Sequence, residues 1–170
     1  MIIVNSLKTL FIIRHAKSSW ADSNQPDAER PLNDRGLRDA PDMAARLFKR
    51  NIPVQTLFYS TARRTTETMN AFRKTLGLKK ENCIPVAELY LAPAYILENI
   101  LEGVSDAFSS VGIIGHNPGL TEWVNTLTGI QVDNLPTCSI FAVQANTTKW
   151  SSFKDAEKTF LFFDYPKLRP

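Results

Sequence analysis

Short apolar runs alternate with longer stretches of helical periodicity along this chain, and no other feature restricts its fold as much. Leu7 to Ile13 is short, apolar and rich in branched residues, which predicts a strand. Asn33 is a good N-cap, and Leu37, Ala40, Ala44, Leu47 and Phe48 follow at spacings of three and four, one helical face. Pro53 punctuates, and Val54 to Tyr59 reads as a strand. A helix from about Thr61 carries Ala62, Met69, Phe72 and Leu76, with Gly77 as its stop. Cys83 to Val86 is a short strand. A helix near Pro93 turns Ile96, Leu97, Ile100 and Leu101 inward and ends at Gly103. Ser110 to Gly115 is the next strand. Asn117 caps a helix with Pro118 at its first position and Gly129 at its end, lined by Leu120, Trp123, Val124 and Leu127. Two strands, Cys138 to Gln144 and Lys158 to Asp164, come last with no convincing helix between them. The pattern predicts a three-layer α/β/α sandwich around a mostly parallel mixed sheet, with one antiparallel edge.

Length and charge narrow the function classes. A chain of 170 residues, 44% apolar and 22% charged, is expected to form one domain over 1–170. Its net charge of +3 lacks the basic footprint of a nucleic-acid protein. No apolar run approaches the roughly 18 residues needed to span a bilayer. The opening Met1-Ile2-Ile3-Val4-Asn5 has no basic leader and no small-residue cleavage site, so a cytoplasmic location is expected. Cys83 and Cys138 have neither metal spacing nor a CxxC pattern. They read as buried free thiols in a reducing compartment.

The chemistry collects where strands end. In an open α/β sheet, ligands bind outside the carboxyl ends of the strands. The first strand delivers Arg14 and His15 there, the second Ser60 to Arg64, the third Glu88 to Tyr90, and the fourth His116 and Asn117. His15 and His116, the chain's two histidines, are 101 positions apart yet occupy equivalent places. A lone histidine after a strand is ordinarily a hydrogen-bonded structural residue, and a lone arginine at a helix start is ordinarily solvated. All four together at strand ends point to an anion site. The guanidinium fork matches phosphate geometry, a helix start adds N–H groups, and positive neighbours favour the neutral, nucleophilic imidazole.

The segment Phe11-Ile12-Ile13-Arg14-His15-Ala16-Lys17-Ser18-Ser19-Trp20 resembles the signature of the histidine phosphatase superfamily, whose usual form is Arg-His-Gly. Arg30-Pro31-Leu32-Asn33-Asp34-Arg35-Gly36 is similar to the family's segment before its first helix. Ser60-Thr61-Ala62-Arg63-Arg64-Thr65-Thr66-Glu67-Thr68 and Gly115-His116-Asn117-Pro118-Gly119-Leu120 resemble two further blocks. Leu135-Pro136-Thr137 is similar to the SixA-type branch, the phosphohistidine phosphatases. The likeness runs from about Lys8 to Asp164 and implies a phosphoglycerate mutase-like fold.

The resemblance implies roles. His15 would be the nucleophile, becoming a phosphohistidine. Arg14, Arg64 and His116 would bind the phosphoryl oxygens, and Asn117 would add a backbone N–H. Arg64 rather than Arg63 stands four residues before Thr68, as the block requires, and Arg63 is expected to point outward. No metal or other cofactor is implied, and no HxH, DxH or HExxH pairing occurs. Two positions depart from the family pattern. Ala16 replaces glycine, which restricts its backbone to negative φ. Glu88 stands near the place of the general acid, but its surroundings match poorly. A weak acid suits an imidazole leaving group, with a conjugate-acid pKa near ~6.5, better than an alkoxide. The expected partner is therefore a phosphorylated substrate, foremost a phosphohistidine-bearing protein. A small-molecule phosphomonoesterase or pyrophosphatase, and a non-catalytic phosphate-binding protein, remain the alternatives.

Overall fold

A computed structural model describes residues 7–168, so the opening run Met1–Asn5 lies outside the described residues. Six strands form one sheet: β1 (Leu7–Arg14), β2 (Thr56–Ser60), β3 (Cys83–Val86), β4 (Ser110–Gly115), β5 (Ile140–Asn146) and β6 (Lys158–Asp164). Their order is β3-β2-β4-β1-β5-β6. The first four are mutually parallel, while β5 runs antiparallel to β1 and to β6. Four helices connect or cover them: α1 (Asp34–Lys49), α2 (Arg63–Leu76), α3 (Ala94–Glu102) and α4 (Gly119–Thr128). The mixed sheet with an antiparallel edge matches the expectation.

The two faces of the sheet are read directly from β1. Leu10 and Ile12 join a core with Leu97 and Leu101 of α3 and Trp123 and Val124 of α4. Phe11 and Ile13 point the other way, to Ala40, Met43 and Leu47 of α1 and Met69 and Phe72 of α2. Period-two alternation on a strand buried on both sides thus yields three layers. Complete burial of a large apolar side chain contributes about 1.5–3 kcal/mol, and Trp123, Phe11, Phe72 and Phe141 are all in that condition.

Three local expectations are corrected. Leu37 and Phe48 are 58% and 60% exposed. The inward face of α1 runs through Gly36, Ala40, Met43, Ala44 and Leu47, and each exposed residue stands one position, about 100°, off that stripe. Asn117 does not cap α4. That helix starts at Gly119 with Pro118 before it and no side-chain cap. The strand expected from Cys138 begins at Ile140, because Cys138 adopts a left-handed backbone, φ 61°, and turns its N–H to the His15 carbonyl, 3.0 Å away. Other boundaries follow the sequence. The Asn33 side chain accepts from the Gly36 N–H, and Gly77 and Gly129 close their helices with φ of 69° and 71°. Both cysteines are free and buried. Among the described residues no helix is long and apolar enough to cross a membrane.

Candidate active site

Register explains why residues distant in sequence meet. In the parallel pair β1 and β4, Arg14 stands opposite Gly115. In β2 and β4, Tyr59 stands opposite Ile114. The carboxyl ends of β2, β4 and β1 therefore lie side by side, and Ser60 at the end of β2, His116 after β4 and His15 after β1 come to one edge. The His15 N–H donates to the Gly115 carbonyl at 3.1 Å, continuing the ladder. The two histidine rings have centroids 5.1 Å apart.

Each ring is fixed by a hydrogen bond that also fixes its tautomer. His15 Nδ1 lies 2.7 Å from the Ala16 carbonyl, which can only accept. Nδ1 therefore carries the proton, and Nε2 keeps its lone pair. His116 Nδ1 is 3.4 Å from Arg64 Nη2, which can only donate. The proton of His116 is then on Nε2, donated to Ser60 Oγ at 2.7 Å. Burial, followed by the charges of Arg64, Arg14 and Arg30, outweighs the Ala16 hydrogen bond and lowers the His15 pKa to about 4. Burial and the neighbouring His15 and Arg64 bring His116 to about 3. Both imidazoles are neutral at pH 7.

Ala16, the departure from Arg-His-Gly, is accommodated. It is fully buried and is not one of the described non-glycine residues with positive φ, so its methyl costs no backbone strain. Its N–H donates to Thr68 Oγ1 at 3.0 Å, and Thr68 donates in turn to the Arg64 carbonyl at 2.7 Å. One threonine thus ties the first turn of α2 to the loop that carries His15.

Arg64 is 2% exposed and enters the pocket from α2. Arg14 donates to the Leu135 carbonyl at 2.6 Å. Nε of both arginines is buried without a hydrogen-bond partner among the described residues, so each guanidinium keeps an unused N–H. Arg63 points outward and pairs with Glu67 at 2.9 Å, as expected. Glu67 is occupied further, accepting from the Leu32 N–H at 2.7 Å.

Glu88 is not brought to the site. It lies exposed in the 3-10 turn Ala87–Leu89, and the pocket walls do not include it. The turn instead presents Tyr90, whose ring meets His116 edge-on at 5.5 Å. The carboxylate in the pocket is Asp27, from a 3-10 turn between β1 and α1. Arg64 donates to its carbonyl at 2.6 Å and to Oδ2 at 2.9 Å, Tyr90 donates to Oδ2 at 2.6 Å, and Arg30 Nε donates to Oδ1 at 3.1 Å. Burial alone would raise the Asp27 pKa. The Tyr90 and Arg64 hydrogen bonds, with the charges of Arg64 and Arg30, outweigh it and hold the carboxyl at about 2. Sequence reasoning missed Asp27 because its turn has no periodicity. The available signal was its position, three residues before the Arg30-Pro31-Leu32 segment.

Asn117 lines the pocket, but its side chain works as a brace. Nδ2 donates to Asn134 Oδ1 at 2.6 Å and to the Leu135 carbonyl at 3.0 Å, while Oδ1 accepts from Thr121 at 2.9 Å. Arg14 and Asn117 thus share the Leu135 carbonyl as acceptor. The pocket encloses about 340 Å³. Trp20, 71% exposed, and Leu91, 51% exposed with φ 50°, border its mouth. Arg30 stacks on Trp20 at 3.5 Å. Among the described residues no three His, Cys, Asp or Glu side chains gather as a metal site.

A three-layer α/β/α sandwich that sets neutral histidines, the buried Arg64 and the half-buried Arg14 at the carboxyl edge of its sheet defines a class of α/β proteins with a cationic pocket. A family model for branch 1 of the histidine phosphatase superfamily matches residues 10–90. An uncharacterized chloroplastic protein of Arabidopsis thaliana is 30% identical over 151 residues, covering 84% of this chain and 69% of that protein. Two solved structures share the fold with a TM-score of 0.78 and 21% identity. The SixA protein from Agrobacterium tumefaciens covers 94% of this chain and 98% of its own. The protein histidine phosphatase SixA complexed with tungstate covers 92% and 96%. The chain belongs to the histidine phosphatase superfamily and has the phosphoglycerate mutase-like fold.

Proposed function

We propose that this protein is a metal-independent phosphatase of SixA type that removes the phosphoryl group from protein phosphohistidine through a covalent intermediate on His15. The observation that carries this reading is the ionisation of the pocket's carboxylate. Asp27, held at about 2, is a poor proton donor at neutral pH, and Glu88 is elsewhere. An alkoxide leaving group needs a strong acid. A phosphoimidazole protonated on its other ring nitrogen releases neutral imidazole, with a conjugate-acid pKa near ~6.5, and needs no acid at the P–N nitrogen.

The chemistry follows from the tautomers. His15 Nε2 attacks phosphorus in line as the substrate's P–N bond breaks, and the bond's electron pair leaves with the substrate imidazole. The phosphoryl oxygens lie against Arg14 and Arg64, with His116 completing the cradle once its Nδ1 takes up a proton beside the anion. Water then attacks the phosphohistidine, with Asp27 accepting its proton, and the P–N electron pair returns to His15 Nε2. The Nδ1–H stays on the Ala16 carbonyl throughout. The structurally similar SixA forms a complex with tungstate, a tetrahedral oxyanion, which supports a phosphoryl-like anion as the ligand of this fold. Trp20 and Leu91 give the mouth a flat apolar border suited to a planar ring.

The test is a substrate series at pH 7: a histidine-phosphorylated protein, p-nitrophenyl phosphate and glycerol phosphate. The expected order of kcat/KM is phosphohistidine first, the aryl ester second and the alkyl ester far behind. An alkyl ester turned over faster than phosphohistidine contradicts the reading and favours a small-molecule phosphomonoesterase.

A further inference from the structure

Beside the catalytic pocket lies a second, larger groove of about 1220 Å³, open along one side. The two share Arg14, Lys17 and Thr137. The groove runs along α1, where Arg35, Arg38, Asp39, Asp42 and Arg46 span about 16 Å at 1.5 Å per residue. It is far too large for a phosphoryl group, which the 340 Å³ pocket already accommodates.

Its walls are built, each held by one arginine. Arg14 donates to the Leu135 carbonyl at 2.6 Å. Arg35 donates to Thr137 Oγ1 at 3.2 Å on the loop before β5. Arg46 donates to the carbonyls of Tyr165, Pro166 and Leu168 at 3.3, 3.2 and 3.0 Å, fixing the segment after β6 as the far wall.

Charge is concentrated here. Six of the chain's 20 cationic residues line the groove: Arg14, Lys17, Arg35, Arg38, Arg46 and Lys167. Two carboxylates line it with them, Asp39 and Asp42, and Asp164 lies just outside the lining. Asp42 and Asp164 pair with Arg46 at 3.0 and 3.3 Å, and Asp39 is shared by Arg35 and Arg38 at 3.8 and 3.3 Å. The lining thus carries an excess of four positive charges, more than the +3 of the whole chain. Lys17 and Lys167 have no ion pair among the described residues. The floor is not uniformly basic, since Asp39 and Asp42 remain, and Pro136, Tyr165 and Pro166 add apolar surface.

We infer that this groove docks an acidic, partly apolar polypeptide segment of the phosphoprotein substrate, delivering its phosphorylated side chain past Arg14 into the catalytic pocket. The inference rests on the reading of that pocket as one for protein phosphohistidine. A mixed acidic and apolar segment satisfies the arginines, the two carboxylates and the proline-tyrosine surface together. A linear polyphosphate would satisfy only the cations and would meet Asp39 and Asp42 with like charge. Continuity through Lys17 and Thr137 places the docked segment within reach of His15.

The experiment measures binding apart from catalysis. A fluorescein-labelled peptide of repeating Glu-Glu-Leu is titrated with the full chain and read by anisotropy. The same titration is made with the double variant Arg38→Glu and Lys167→Glu, two exposed positions outside the catalytic pocket. The wild type is expected to bind, more weakly as salt rises, and the variant about tenfold more weakly. p-Nitrophenyl phosphate turnover should stay within about twofold, which also reports that the variant is folded. The neutral pair Arg38→Gln and Lys167→Gln should show a smaller loss in the same direction. Equal peptide binding by wild type and variants overturns the inference, as does no binding at low salt. Polyphosphate binding more tightly than the peptide, with the same loss in the variants, also overturns it, in favour of a polyanion. Peptide binding requires no turnover, so an inactive phosphatase that still binds would refute the catalytic reading alone.

Discussion

The His15 and His116 rings stand 5.1 Å apart across 101 residues of sequence, and both are held neutral. They differ in which nitrogen is free. His15 presents a bare Nε2, whereas His116 spends its Nε2 proton on Ser60 and turns Nδ1 to Arg64. His116→Gln should therefore lower kcat/KM for p-nitrophenyl phosphate by about 10²-fold, the cost of the donor that His116 becomes once Nδ1 is protonated beside the anion. Phosphoenzyme formation should be slowed but retained. Steady-state and quench-flow kinetics measure both.

Stability should fall with acid in two windows. An unfolded histidine takes a proton near pH 6.5, while folded His15 and His116 resist until about 4 and 3. Below pH 6.5 the unfolded state thus binds more protons, and stability declines as pH falls, by up to about 1.4 kcal/mol per pH unit for each histidine. Asp27 acts the same way lower down. Its folded pKa is depressed from 3.8 to about 2, so its contribution is present above pH 3.8 and is lost as pH falls through 2. Urea midpoints between pH 7 and pH 3 should decrease steadily, and His15→Gln should flatten the upper part of that slope. An unchanged slope in His15→Gln would contradict the assignment.

Asp27 and Glu88 separate clearly by mutation. Asp27→Asn should slow hydrolysis of the intermediate more than its formation, so that phosphoenzyme accumulates at steady state. Glu88→Gln should leave kcat/KM within about twofold, as befits an exposed residue away from the pocket. Acid-quench labelling of the two variants distinguishes them, and loss of activity in Glu88→Gln would reinstate it as the acid.

Gly36 sets how closely α1 approaches the loop after His15. A Cβ there would lie 2.2 Å from the Lys17 carbonyl oxygen, which also accepts the Asn33 N–H at 2.9 Å. The clash is with backbone, so no rotamer relieves it. Gly36→Ala should cost about 1–3 kcal/mol of stability and reduce kcat by displacing Lys17, two residues from His15. Denaturant unfolding and aryl phosphate kinetics check both.

The site was legible where it sits on regular structure. Arg14, His15 and His116 follow strands whose apolar runs are unambiguous, and Arg64 begins a periodic helix. Parallel pairing then brings them to one edge. Asp27 was not legible, since a 3-10 turn without apolar pattern carries no register, and its approach to Arg64 is a tertiary fact. Glu88 was misplaced by the same reasoning that succeeded elsewhere. The position of the third strand was read correctly, but the short turn after it rotates Tyr90 inward and Glu88 out. Leu37 and Phe48 erred because hydrophobicity alone does not fix helical phase: the buried stripe includes Gly36 and Asp39 in their stead.

The covalent intermediate is the most direct test. A ³²P-phosphohistidine protein, mixed with the wild type and quenched in alkali, should leave label on this chain that is stable to base, lost in acid, and mapped to His15. His15→Ala should show neither label nor turnover. Turnover retained in His15→Ala, or label mapped to a serine or threonine, would contradict the account.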